Sequence, residues 1–159
     1  MTLTEIGAAV GFLTGVYTFF DRFMKGWPLA YLVASGPATN AILFLRVKNV
    51  GQQDVVLRRI CSVPRLYQIA KNDSRKAIIE AEVHDTFAAV LQPGEQIDFP
   101  VFPSQVGRSM APDGWGPCAV VLSWRKATCT WLPQIPVCLF TSVRTIEQLK
   151  SSYRAPVNF

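Results

Sequence analysis

Charge is scarce in this chain. Asp, Glu, Lys and Arg make up 17% of its 159 residues, against roughly 25% in an ordinary soluble domain. Histidine is scarcer still, with His84 the single one. The four cysteines (Cys61, Cys118, Cys129, Cys138) form no C-x-x-C pair. A structural zinc site needs Cys or His ligands two to four residues apart, so no metal or cofactor is expected. No run of five like charges occurs, although the net charge is +5. That argues against a nucleic-acid-binding tail. No basic residue lies in Met1–Glu5, whereas a cleaved secretory signal starts with one.

What is present is apolar. Half of the residues are hydrophobic, and the mean hydropathy is +0.22. The run from Ile6 to Phe20 carries no charge, and Gly7, Gly11 and Gly15 recur at every fourth position. Residues four apart share one helix face, so the glycines form a smooth stripe where a second helix can approach. This small-xxx-small spacing is a packing signal of membrane helices, here a glycine zipper for self-association. Arg22 and Lys25 follow the run, with Trp27 behind them, as snorkelling and interface residues would. Positive charge tends to stay cytoplasmic, which orients the C-terminal part toward the cytoplasm. Fifteen residues span only about 22 Å at 1.5 Å each, short of a hydrocarbon core of about 30 Å. The expectation is a transmembrane or membrane-inserted helix. The alternative is a helix packed on its own domain or on another subunit.

Gly26-Trp27-Pro28 ends the helix, since Pro cannot continue it. Short apolar strands follow over residues 29–35, 40–47, 55–61, 66–69, 86–91, 96–102, 118–124 and 137–140. In the second, the expected inward set is Ile42, Phe44 and either Arg46 or a shifted register, and the alternative set (Ala41, Leu43, Leu45, Val47) is wholly apolar. Asp73 or Ser74 can cap a helix over 75–83, a window that also reads as a strand, and Ser142 can cap one over 143–151. Gln92-Pro93-Gly94-Glu95 suits a type II turn. Residues 103–116 read as a long loop and 129–136 as a linker or edge segment. Seven or eight strands punctuated every 8–12 residues fit an antiparallel β-sandwich of immunoglobulin type. The expected organisation is a hydrophobic helix over 1–27, a β-sandwich over 28–152 and a tail over 153–159. An antibody-like Cys–Trp–Cys pattern does not apply, because Cys118 precedes Trp124 on the same strand. A cytoplasmic domain would also keep its thiols reduced.

Two stretches, Tyr17-Thr-Phe-Phe-Asp-Arg-Phe-Met-Lys-Gly-Trp-Pro28 and Ser123-Trp-Arg-Lys-Ala-Thr-Cys-Thr-Trp-Leu-Pro-Gln-Ile-Pro-Val137, resemble the anchor-exit segment and late strand pair of small uncharacterised bacterial proteins. Those are membrane-anchored proteins with an N-terminal helix and an Ig-like β-sandwich. The resemblance implies a membrane helix plus an Ig-like domain and no known activity.

Chemistry is sparse. His84-Asp85 follows Glu80 and Glu82, a possible acid–base cluster, but a charged element end accounts for it. A cysteine nucleophile with His84 as base is a chance pairing of four candidates with one histidine. Arg108, Trp115, Arg125, Lys126 and Trp131 can form a basic-aromatic surface toward a protein partner or lipid headgroups. The expected function is a non-enzymatic, membrane-anchored module. It self-associates as a homo-oligomer and binds a protein partner with its β domain. The alternatives are a pore-forming effector and a soluble structural subunit whose helix docks into an assembly.

Overall fold

The computed structural model describes residues 3–24, 26–36, 41–83, 86–104, 116–131 and 133–152. A helix, α1 (Leu3–Met24), precedes two four-stranded antiparallel sheets. The first has the order β1 (Leu29–Ser35), β2 (Ile42–Lys48), β6 (Gln96–Pro103), β4 (Tyr67–Ile69). The second has the order β5 (Thr86–Leu91), β3 (Val55–Val63), β7 (Pro117–Lys126), β8 (Ile135–Ser142). Two further helices are α2 (Arg75–Val83) and α3 (Val143–Ser152). The mainly β class expected from the strand pattern is therefore observed.

The sheets bury one face each. In β2 the apolar set wins: Leu43, Leu45 and Val47 are buried, while Arg46 lies on the outer face. Arg46 stands opposite Asp98 of β6. Its guanidinium donates to both carboxylate oxygens, at 2.8 and 2.7 Å. A cross-strand ion pair therefore fixes the register that alternation alone left open. In β7, Cys118, Val120, Leu122 and Trp124 point inward. β3 starts in phase, with Val55 and Leu57 inside, then shifts register between Leu57 and Arg59. The irregularity exposes both Arg58 and Arg59 and returns Ile60 to the core, as a β-bulge does.

The helices follow their caps. Ser74 Oγ accepts from Ala77 N at 3.3 Å, and Ser142 Oγ accepts from Thr145 N at 3.1 Å. α3 sends Ile146 into the core. β8 reaches back to Ile135 and includes Pro136, so the segment expected as a linker is partly strand. Proline is tolerated there because β8 is an edge strand. All four cysteines are free thiols, Cys61 and Cys118 buried and Cys138 exposed.

One expectation needs correction. Among the described residues no helix is long and apolar enough to cross a membrane. The uncharged part of α1 is only Ile6–Phe20, closed off by Glu5 and by Asp21-Arg22. The transmembrane-helix reading fails on that length. The helix itself forms over 22 residues.

Candidate functional site

α1 has an unusual surface. Every described side chain in it, at positions 7, 8 and 10–18, is exposed. At about 100° per residue, Gly7, Ala8, Gly11, Thr14, Gly15 and Thr18 fall on one side. Val10, Phe12, Leu13, Val16 and Tyr17 fall on the other. A Cβ built on Gly7, Gly11 or Gly15 meets nothing within 4 Å, so the stripe is not packed on the β domain. Thr14 Oγ1 donates to Val10 O and Thr18 Oγ1 to Thr14 O, both at 2.8 Å. Both hydroxyls are thus satisfied within the helix. Apart from the exposed Tyr17 phenol, the described surface of the helix presents no polar side chain that needs water, although the helix is left uncovered.

The chain leaves α1 at one end of the sandwich. Gly26 is buried there and Trp27 half-buried. The Trp27 ring packs edge-on against the fully buried Trp124, with centroids 6.1 Å apart and planes at 69°. Such T-shaped pairs add about 0.5–1.5 kcal/mol beyond their buried area. The β2–β3 turn comes so close that a Cβ on Gly51 would lie 3.0 Å from Gly26 Cα. Only glycine fits that approach without moving backbone.

Asn49 holds this end together. It is completely buried. Its Nδ2 donates to Gln53 O at 2.8 Å and to Leu91 O at 3.0 Å, and its Oδ1 accepts from Gly51 N at 2.9 Å. Its backbone N–H donates to Glu95 O and its carbonyl accepts from Gly94 N, both at 2.9 Å. The β5–β6 turn beside it is closed by Glu95 N to Gln92 O at 3.0 Å. Gly94 there has φ +78°, the third-position value of a type II turn. The β7–β8 connection joins the same end. Ala127 N donates to Asp54 O at 2.9 Å, and Thr128 Oγ1 donates to Gln53 Oε1 at 3.2 Å.

Three of the basic-aromatic residues thus gather beside the exit of α1. Arg125 and Lys126 end β7. Arg125 Nη1 donates to Thr130 O at 3.1 Å, bracing the connection. Trp131 stands 80% exposed on it. Lys48 adds a third cation at this end, and Asp54 and Glu95 are its carboxylates. Arg108, Trp115, His84, Asp85 and Lys25 lie outside the described residues, and Arg22 falls within α1. Trp124, the fourth tryptophan, belongs to the core. Sequence reasoning read Asn49 only as turn, and its nearest signal was the Asn-x-Gly spacing to Gly51.

Among the described residues no group of three or more His, Cys, Asp or Glu side chains could hold a metal ion. Cys118 is buried, and its thiol sits 3.3 Å from Ser62 Oγ. Burial pushes it up from its ordinary value, away from the thiolate form a nucleophile needs. No protein family and no curated protein matches this chain.

Proposed function

We propose that the protein is a non-enzymatic interaction module anchored at a lipid surface by α1. In this reading its β domain faces the cytoplasm and takes a protein partner. The observation that carries it is the exposed, largely apolar girth of α1 over its described side chains, with the Thr14 and Thr18 hydroxyls bonded internally. A helix apolar all round needs a buried setting. The setting that suits a glycine face backed by bulky Phe12, Leu13 and Tyr17 is self-association on the small face, with the bulky face in lipid. The short apolar length suits a helix seated and self-associating at the headgroup–acyl boundary, not one that crosses the bilayer. Held this way, the sandwich end beside Gly26 meets the headgroups, and Trp131 with Arg125 and Lys126 supplies an aromatic-cationic contact. The strand orders β1-β2-β6-β4 and β5-β3-β7-β8 support an Ig-like sandwich as the presenting domain.

The second reading is a subunit whose α1 docks into a soluble assembly, favoured by the fifteen-residue uncharged length. Fractionation of the expressed full chain separates the two. Anchoring predicts a pellet that resists carbonate and dissolves in detergent. A discrete soluble assembly without detergent would sink it in favour of docking. Cross-linking then tests the stripe. Gly11→Leu should cut the dimer yield about tenfold, for a packing loss on the order of 1–3 kcal/mol, while Val16→Leu on the bulky side changes little. Equal yields for the two variants and the unmodified chain would remove the glycine face as an interface.

A further inference from the structure

We infer that the groove between α2 and the end of β6 is a binding site for a basic, apolar peptide segment of a partner. The groove is open, with a volume of about 480 Å³, within the usual range for ligand sites. Its apolar floor and wall are Phe102 and Pro103 of β6 with Ile78 and Ile79 of α2. Gln68 of β4 lines it and is only 8% exposed, yet its Oε1 has no hydrogen-bond partner. That oxygen is itself covered, so a ligand N–H can satisfy it only when the terminal amide turns toward the groove. A small cavity of about 50 Å³ shares Gln68 and Glu82 with the groove, so the amide stands between the two spaces.

The charges choose the ligand. Asp73, Glu82 and Arg75 border the groove, and among the described residues no salt bridge engages any of them, whereas Lys76 and Glu80 pair with each other on the same helix. Two carboxylates against one guanidinium favour a cation. A peptide fits all the demands together. An apolar side chain lies on Phe102 and Ile78, a backbone N–H meets Gln68 Oε1 once that amide turns toward the groove, and a Lys or Arg meets Glu82 and Asp73. The groove is at the opposite end of β6 from the β5–β6 turn beside the α1 exit, so it stays open when that end is covered. This deepens the partner-binding half of the proposed function and is independent of how α1 is seated.

The test is an NMR titration of the ¹⁵N-labelled full chain with the blocked tripeptide N-acetyl-Leu-Arg-Leu-amide, set against its Glu-centred counterpart. The expected result is saturable shifts at Gln68, Phe102 and Ile79 with a Kd of about 1 mM or tighter for the Arg peptide, and at least tenfold weaker binding of the Glu peptide. Gln68→Leu should abolish saturation while melting no lower than the parent, because it deletes an unmatched buried polar group. Glu82→Gln, at an exposed position, should weaken the Arg peptide about threefold or more and leave the fold intact. The proposal is overturned by flat titrations to about 10 mM, by equal binding of both peptides, or by unchanged binding to Gln68→Leu or, should that variant not fold, to Glu82→Gln. A flat titration of a chain that still pellets with membranes removes the groove alone. Saturable binding by a chain that stays soluble removes the lipid anchor alone.

Discussion

Replacing Asn49 by alanine removes three side-chain hydrogen bonds at the point where α1 joins the sandwich. The groups left behind are not equivalent. Leu91 is fully buried, so its carbonyl loses a donor that water cannot replace; such an orphan costs about 1–3 kcal/mol. Gly51 is half-buried and its N–H loses Asn49 Oδ1, which adds about 1 kcal/mol. Gln53 is exposed and its carbonyl turns to solvent at little cost. The total is about 2–4 kcal/mol. For a chain of this size that lowers Tm by about 6–15 °C. Asn49→Asp is the sharper variant. It keeps an acceptor for Gly51 N but aims a carboxylate at the Gln53 and Leu91 carbonyls. Burial and those dipoles raise its folded pKa above the usual carboxylate value of about 3.9. The unfolded state then binds fewer protons than the folded one between the two values, so stability rises as pH falls through the folded pKa and levels off near pH 4. Thermal melts of the full chain from pH 4 to 8 read both effects. A loss under 1 kcal/mol for Asn49→Ala, or an Asn49→Asp variant indifferent to pH, would refute the role given to this side chain.

Other consequences can be checked with the same melts and with vesicles. Gly51→Val should destabilise the chain by about 1–3 kcal/mol, because its side chain is driven into the Gly26 backbone; an unchanged Tm would refute that close approach. Trp131→Ala should lower partitioning into anionic vesicles about tenfold, the loss expected when one large aromatic leaves an interface, without changing Tm; equal partitioning would refute the headgroup contact. Arg46 holds the Asp98 carboxyl below its ordinary value. Its share of stability is present above about pH 4 and lost as pH falls further, and Asp98→Asn should cost about 1 kcal/mol at neutral pH, since both side chains keep some solvent contact. Burial pushes the Tyr67 phenol up to about 12. Stability should therefore fall between about pH 10 and 12, by at most about 3 kcal/mol from this group, and Tyr67→Phe should flatten that limb.

Much of the β domain was legible because its signals are local. β7 reads as a strand directly from its apolar run over 118–122. Ser74, Ser142 and Pro93-Gly94 mark two helix starts and a turn by chemistry that depends on three or four neighbouring residues. What stayed hidden depends on distant partners. The phase of β2 rests on Asp98, 52 residues away. The bulge that exposes both Arg58 and Arg59 has no residue signature. Asn49 looks like any turn asparagine until Leu91 is brought to it by the β3–β5 pairing. Gln68 gains interest only because α2 leaves a groove over it. Trp27, expected at an interface, turned out to have Trp124 within reach, a contact across nearly a hundred residues of chain.

The placement of Trp27 bears on how the two halves act together. A helix joined to a domain by a free linker transmits no orientation. Here the residue after Lys25 is already buried, the next packs on the core tryptophan, and the β2–β3 turn closes on Gly26 through Gly51. The exit from α1 is thus clamped by the same Asn49-centred turns that carry the β7–β8 connection. Whatever holds α1 also fixes which end of the sandwich faces it. That end carries Trp131, Arg125 and Lys126, while the groove of Gln68 and Phe102 lies at the other. Loosening the clamp with Asn49→Ala should therefore do more than lower Tm. In vesicle-bound protein it should let a fluorophore at exposed Cys138 sample more orientations, read as lower steady-state anisotropy at a temperature where the sandwich is still folded. Unchanged anisotropy in the folded variant would show that the clamp stabilises the domain without orienting it.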